Sequence, residues 1–146
     1  MIVPETREGL VEAFSYDLWA NREWSEIIPK LGERGQGVWE HLLFCHTIWY
    51  GRVISVEETP ALPGDVLAGL EIMTQAWIEV IQTSDPTAFV SYQRGEETHF
   101  QLVEDVLRHV ANHGTYHRGQ LREIAGQAGL EWPETDYMLW KRLEMP

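Results

Sequence analysis

The chain has a single cysteine, Cys45, in 146 residues. No intrachain disulfide can form, and a reducing cytoplasm is the expected compartment. Basic residues are also few: eleven Lys and Arg stand against twenty-three Asp and Glu, a formal net charge of −12. Nucleic acid and anionic membrane both require clustered cations, so neither is expected as a partner. No apolar run approaches the roughly 18 residues that a membrane-crossing helix needs. The opening "MIVPETREGLVEAF" has an early proline and acidic residues. A secretory signal would have a basic start and an apolar run, so none is expected.

Material for a core is present. Apolar residues make up 44% of the chain and seven are tryptophan, so several tryptophans must be buried or line a pocket. The length fits one domain, residues 1–146, burying about two thirds of its unfolded surface.

Hydrophobic periodicity divides that domain into helices. The spacing predicts a first helix over about 5–28, with Leu10, Phe14, Leu18, Trp24 and Ile28 inward and Pro29 as its stop. "KLGERGQG" reads as a Gly-rich connection. A second helix is predicted over 37–56, with Val38, Leu42, Cys45, Trp49, Val53 and Val56 on one stripe. "EETPALPGD" breaks the chain, and a third helix follows over 64–83 with Asp65 as N-cap. Residues 88–102 alternate around "RGEE" and read as a short hairpin. A fourth helix covers 101–128, closed by Gly129. A turn at Pro133 precedes a short helix from about Asp136. Four long amphipathic segments and little strand imply an all-α helical bundle.

Half of the six histidines fall in "HVANHGTYHRGQ", residues 109–120, at intervals of four. Residues of a helix advance about 100° each, which puts Val106 and Ile124 about 20° from His113 and His117 about 40° from it. His113 and His117 therefore point into the bundle along with the valines. A buried imidazole needs a partner, and two that are one turn apart can converge on one ion. The alternative is a pair satisfied within the core. "HGTYH" has no glutamate after its first histidine, so the general base of zincin proteases is absent. His109 lies on the other side of His113 and reads as a bundle-face neighbour of the pair, with a fourth ligand or a group supporting the ligands as the alternatives. A third ligand must come from another helix. His41 and His46 are about 140° apart on the second helix and flank its apolar stripe, so periodicity leaves the choice open. His99 falls in the hairpin and is expected to be exposed. Cys45 reads as a small hydrophobe, with soft metal ligation as the alternative.

Four stretches together resemble the DinB family, also grouped as the DinB/YfiT-like metalloenzymes. They are "SYDLWANREW", "HLLFCHTIWYGR", "HVANHGTYHRGQL" and "GLEWPETDYMLW", spanning residues 16–140 in order. The resemblance implies a four-helix bundle with long crossover connections, a small β-hairpin before the last long helix and a short C-terminal helix. It also implies a divalent metal, zinc or nickel, on three histidines. The family histidine of the second helix stands eleven residues before an arginine. His41 and Arg52 have that spacing and His46 does not, so the resemblance implies His41, His113 and His117. Relatives tend to form homodimers, and some are thiol-dependent transferases using bacillithiol or mycothiol.

Three neutral imidazoles are the ligand pattern of catalytic zinc, which keeps an open position. That position suits water or a low-molecular-weight thiol, acting on a small-molecule substrate. His109 and Gln120 flank the ligand line and are placed to orient ligands or substrate. Arg52 would hold a carboxylate or form an interhelical ion pair. Trp49, Tyr116 and His46 are candidates for the pocket wall or simple packing. Two alternatives remain: a non-catalytic metal-binding or stress-response protein whose ion staples the bundle, and a helical interaction module with core histidines.

Overall fold

The structure, a computed structural model, describes residues 6–144. Helix α1 runs Arg7–Ser25, and Thr6 caps it by accepting from the Gly9 N–H at 2.9 Å. The predicted start at residue 5 lies outside the described residues. A one-turn 3₁₀ segment at Ile28–Lys30 follows, containing Pro29, so α1 stops about a turn before the prediction. Helix α2 runs Gly32–Val53, which corrects the sequence reading at both ends. The Gly-rich stretch is not a connection. Gly32, at φ +70°, completes the turn in one residue, and the helix starts there. At the far end Val56 lies beyond the helix and is exposed.

Helix α3 is Val66–Thr83, with the Asp65 carboxylate accepting from the Ala68 N–H. Strands β1 (Phe89–Arg94) and β2 (Glu97–Leu102) pair antiparallel around Gly95–Glu96, with Tyr92 opposite His99. Helix α4 is Val103–Gln127, and its end is tied by Gly129 N–H to Gly126 O and Leu130 N–H to Ala125 O. Helix α5 is Tyr137–Glu144. The fold is therefore an all-α bundle carrying one hairpin, as the sequence predicts. Helix α1 packs against α3 and α4, and α2 packs against the same two. Among the described residues no helix is long and apolar enough to cross a membrane.

The core comes in two blocks. One contains Leu10, Phe14, Trp77, Val106 and Val110; the other contains Trp24, Trp39, Leu42, Leu70 and Leu121. The residues between the blocks along α1, α2 and α4 are largely polar. They include buried Asp17, Asn21, His46, His117 and Arg118. A polar layer thus crosses the middle of the bundle, and apolar packing above and below it holds the helices that carry it.

Candidate metal centre

The ring nitrogens of His41, His113 and His117 converge within this layer. One ligand atom from each lies within 4.8 Å of the others. His113 Nε2 and His117 Nε2 are 3.1 Å apart. Two nitrogens on one tetrahedral ion, with bonds of about 2.0–2.1 Å, would stand about 3.3 Å apart. The four-residue step along α4 stacks these two rings on one face, and α2 brings His41 up to them. His117 is buried, His113 is half-buried and His41 lies towards solvent.

The electrostatics favour the ligand form. Burial first, then the neighbouring histidines His117, His109, His41 and His46, push His113 down to about 4. Burial and His117 lower His41. Both rings are therefore neutral at neutral pH, which is the state that binds metal. Gln120 Oε1 accepts from His117 Nδ1 at 2.7 Å, which leaves Nε2 as the free lone pair facing His113. This donor set could hold a divalent ion.

The other predicted residues divide around this group. His109 stays outside it. Its ring is 5.2 Å from His113 and 5.2 Å from Trp49, and burial followed by Arg52 lowers its pKa. Arg52 makes no ion pair among the described residues. Its guanidinium lies 4.5 Å from the Trp49 ring centre and 4.4 Å from that of Tyr92, so a cation–π stack replaces the expected carboxylate contact. Tyr116 is exposed and stands edge-on to His117 at 5.1 Å, while exposed Phe44 stacks beside His41 at 6.1 Å. Cys45 is buried as expected, yet its Sγ is 3.4 Å from His41 Nε2 and 4.0 Å from His113 Nε2. Burial raises this thiol to about 11, so it is protonated at neutral pH. His99 is half-buried, not exposed, with its ring stacked on Tyr92.

His46 belongs elsewhere. Its Nε2 faces Asp17 Oδ2 at 3.5 Å. Asp17 Oδ1 accepts from Arg118 Nη1 at 2.5 Å, and Arg118 Nη1 also donates to Asn21 Oδ1 at 2.8 Å. Burial works to raise the Asp17 pKa, but Arg118 and His46 outweigh it and hold the carboxylate below its usual range. Gly114, inside the HGTYH stretch, makes room for this network: a Cβ there would stand 2.0 Å from Asp17 Oδ1. Sequence reasoning missed Asp17, Asn21 and Arg118. A signal existed, because Leu10, Phe14, Asp17, Asn21 and Trp24 step by four and three along one inward line of α1.

A family model described as the DinB family matches residues 5–145. The chain belongs to the DinB family. It is 50% identical over 38 residues to Protein DinB of Bacillus subtilis (strain 168), a match covering 26% of this chain and 22% of that relative. No solved structure matches. In this DinB chain the first and last of the four resembling stretches are packed together. The Tyr16 hydroxyl donates to Thr135 O, and Trp24 Nε1 donates to Thr135 Oγ1 at 3.4 Å. Trp19 packs on Tyr16 at 6.0 Å. These contacts give Tyr16 a role that periodicity alone does not: with Trp24 it docks the tail onto α1, and Trp19 packs beside it.

Proposed function

We propose that this protein is a metal-dependent enzyme. His41, His113 and His117 would hold one zinc or nickel ion, and three protein ligands would leave it able to take a further one. The carrying observation is the set of converging imidazole nitrogens beside a Gln120 that fixes the His117 tautomer. When bound, such an ion lowers the proton affinity of a water or low-molecular-weight thiol beside it and polarises an electrophile.

The chain's own residues supply the rest. Neutral His41 and His113 add no charge, so the cation keeps its full effect on the reacting group. Phe44 and Tyr116 form an exposed aromatic rim against which a small-molecule substrate can lie. The Arg52, Trp49 and Tyr92 stack backs His109 and keeps it beside His113. Cys45 is held as a thiol by burial, so the nucleophile of a transfer reaction comes from a cosubstrate and not from the chain. Our reading includes a cytoplasmic homodimer, and sedimentation at twice the chain mass checks the dimer.

The position of Cys45 favours a second reading. Its sulfur is close enough to His41 and His113 to close the site, making the ion a staple without turnover. Cobalt(II) loading separates the two. An open position predicts visible absorption that shifts when azide or a small thiol is added and is the same in Cys45→Ser. A sulfur-to-cobalt band that disappears in Cys45→Ser, with no response to added ligand, would establish the staple.

A further inference from the structure

A separate cavity borders α4, with His109 in its lining. It is a cleft of about 1010 Å³ between α1, α4 and residues 132–137 of the tail. That volume is at the upper end for small-molecule sites. Small residues open it: Gly9 and Ala13 on α1 face Ala111, Thr115 and Gly119 on α4. None of His41, His113 and His117 lines it. On α4, Thr115 and Arg122 lie about 160° and 140° around the axis from His117, so the cleft and the histidine cluster use roughly opposite faces of one helix.

Two guanidinium groups make this more than a groove. Arg118 lines the cleft although only 4% of it is exposed. A guanidinium has five N–H donors. Arg118 Nη1 donates to Asp17 and Asn21, and Nη2 donates to Thr115 Oγ1 at 3.2 Å. The Nε–H and the second Nη2–H have no acceptor among the described residues. A turn further along, Arg122 lies over Trp132 with its guanidinium 5.0 Å from the ring centre, and no described carboxylate pairs with it. Tyr16 and Trp24 line the apolar side. The acids Glu134 and Asp136 lie on the tail wall, and the acid of the α4 wall, Asp105, stands more than three turns before Arg118, which directs an anionic group to the Arg118–Arg122 end of α4.

We propose that this cleft is a second ligand site, independent of the histidine cluster. It binds a small organic anion with a flat apolar body. The anionic group accepts from Arg118 and Arg122, and the body lies against Tyr16, Trp24 and Trp132. Charge-assisted hydrogen bonds to planar guanidinium groups suit a carboxylate or sulfonate.

Anilinonaphthalene sulfonate tests this as a probe, read by its own fluorescence and by energy transfer from the cleft tryptophans. One probe per chain is expected to bind saturably. Gly119→Trp places a large ring in the cleft from a position where nothing lies within 4 Å of a Cβ. This variant and Arg122→Gln, at an exposed position, are each expected to weaken binding about tenfold or more. Phenylnaphthylamine, the neutral analogue, is expected to bind about tenfold more weakly than the sulfonate. His113→Ala, which removes metal in the reading above, is expected to leave probe binding unchanged. Equal binding of the neutral analogue would overturn the proposal, as would indifference to Arg122→Gln. Loss of binding in His113→Ala would move the probe to the metal centre, and a changed solution mass in Gly119→Trp would make the cleft an interface between copies.

Discussion

His117 and Arg118 are consecutive residues of α4, both buried at the same level of the bundle, and they face opposite surroundings. Arg118 enters a network in which Asp17 answers its charge, Asp17, Asn21 and Thr115 accept from three of its five donors, and His46 faces Asp17. His117 points to a place where two more imidazole nitrogens arrive and no carboxylate does. The first cluster pairs acid with base and ties α1, α2 and α4 together. The second brings ring nitrogens face to face, His113 Nε2 and His117 Nε2 at 3.1 Å with His41 beside them, an arrangement that could hold a cation. A buried polar layer in a bundle thus has two uses, and the partners tell which. Acid paired with base indicates architecture, while like groups brought together indicate a ligand.

The sharpest way to break this comparison is to remove one member of each cluster from metal-free protein. Asp17→Ala leaves Arg118 charged and unpaired, and urea unfolding is expected to show a loss of about 3–5 kcal/mol. His113→Ala is expected to change the same measurement by less than about 1 kcal/mol, because the metal-free cluster contributes little to folding. Equal losses for the two would mean that both clusters are structural. Gln120→Leu comes next. It removes the acceptor on His117 Nδ1 but no ligand atom, and zinc affinity measured by competition with a chelator is expected to fall about 10–100-fold.

The two clusters also differ in their response to acid. His113 is held at about 4 in the folded chain, below its ordinary value of 6.5. Between those values the unfolded chain takes up the proton first. The stability of the metal-free protein is therefore expected to fall as pH drops from 6.5 towards 4. Asp17 acts lower, with its contribution lost only as pH falls through its depressed value. His113→Ala escapes this fall, so the melting temperature of wild type should drop relative to that of the variant and pass below it towards the acid end. Parallel curves would show that His113 is not perturbed as described. The smallest effect on metal is expected from Arg52→Leu, which loses a partly exposed cation–π stack of about 0.5–2 kcal/mol and leaves metal affinity within about twofold.

Much of the bundle was legible because apolar residues recur at helical spacing, and the α4 histidines share their line. His113 and His117 could be read as inward-facing from Val106, Val110 and Ile124 alone. His41 could not, since it and His46 flank the same stripe of α2. The structure separates them through Asp17, which takes His46 into its own network. That pairing is tertiary, and no local pattern in α2 reports it. The start of α2 was misread for a local reason, because glycines that look like a linker include one that makes the turn and others that sit in the helix. The Arg52 stack was also out of reach, since one of its two rings, Tyr92, comes from the hairpin.

The most direct measurement is the metal content of purified protein reconstituted with zinc or nickel and dialysed, read by elemental analysis per chain. The account predicts one ion per chain in wild type and in His109→Ala, and almost none in His41→Ala, His113→Ala or His117→Ala. A full ion retained by His113→Ala or His117→Ala, or a wild-type chain that holds none, would contradict it.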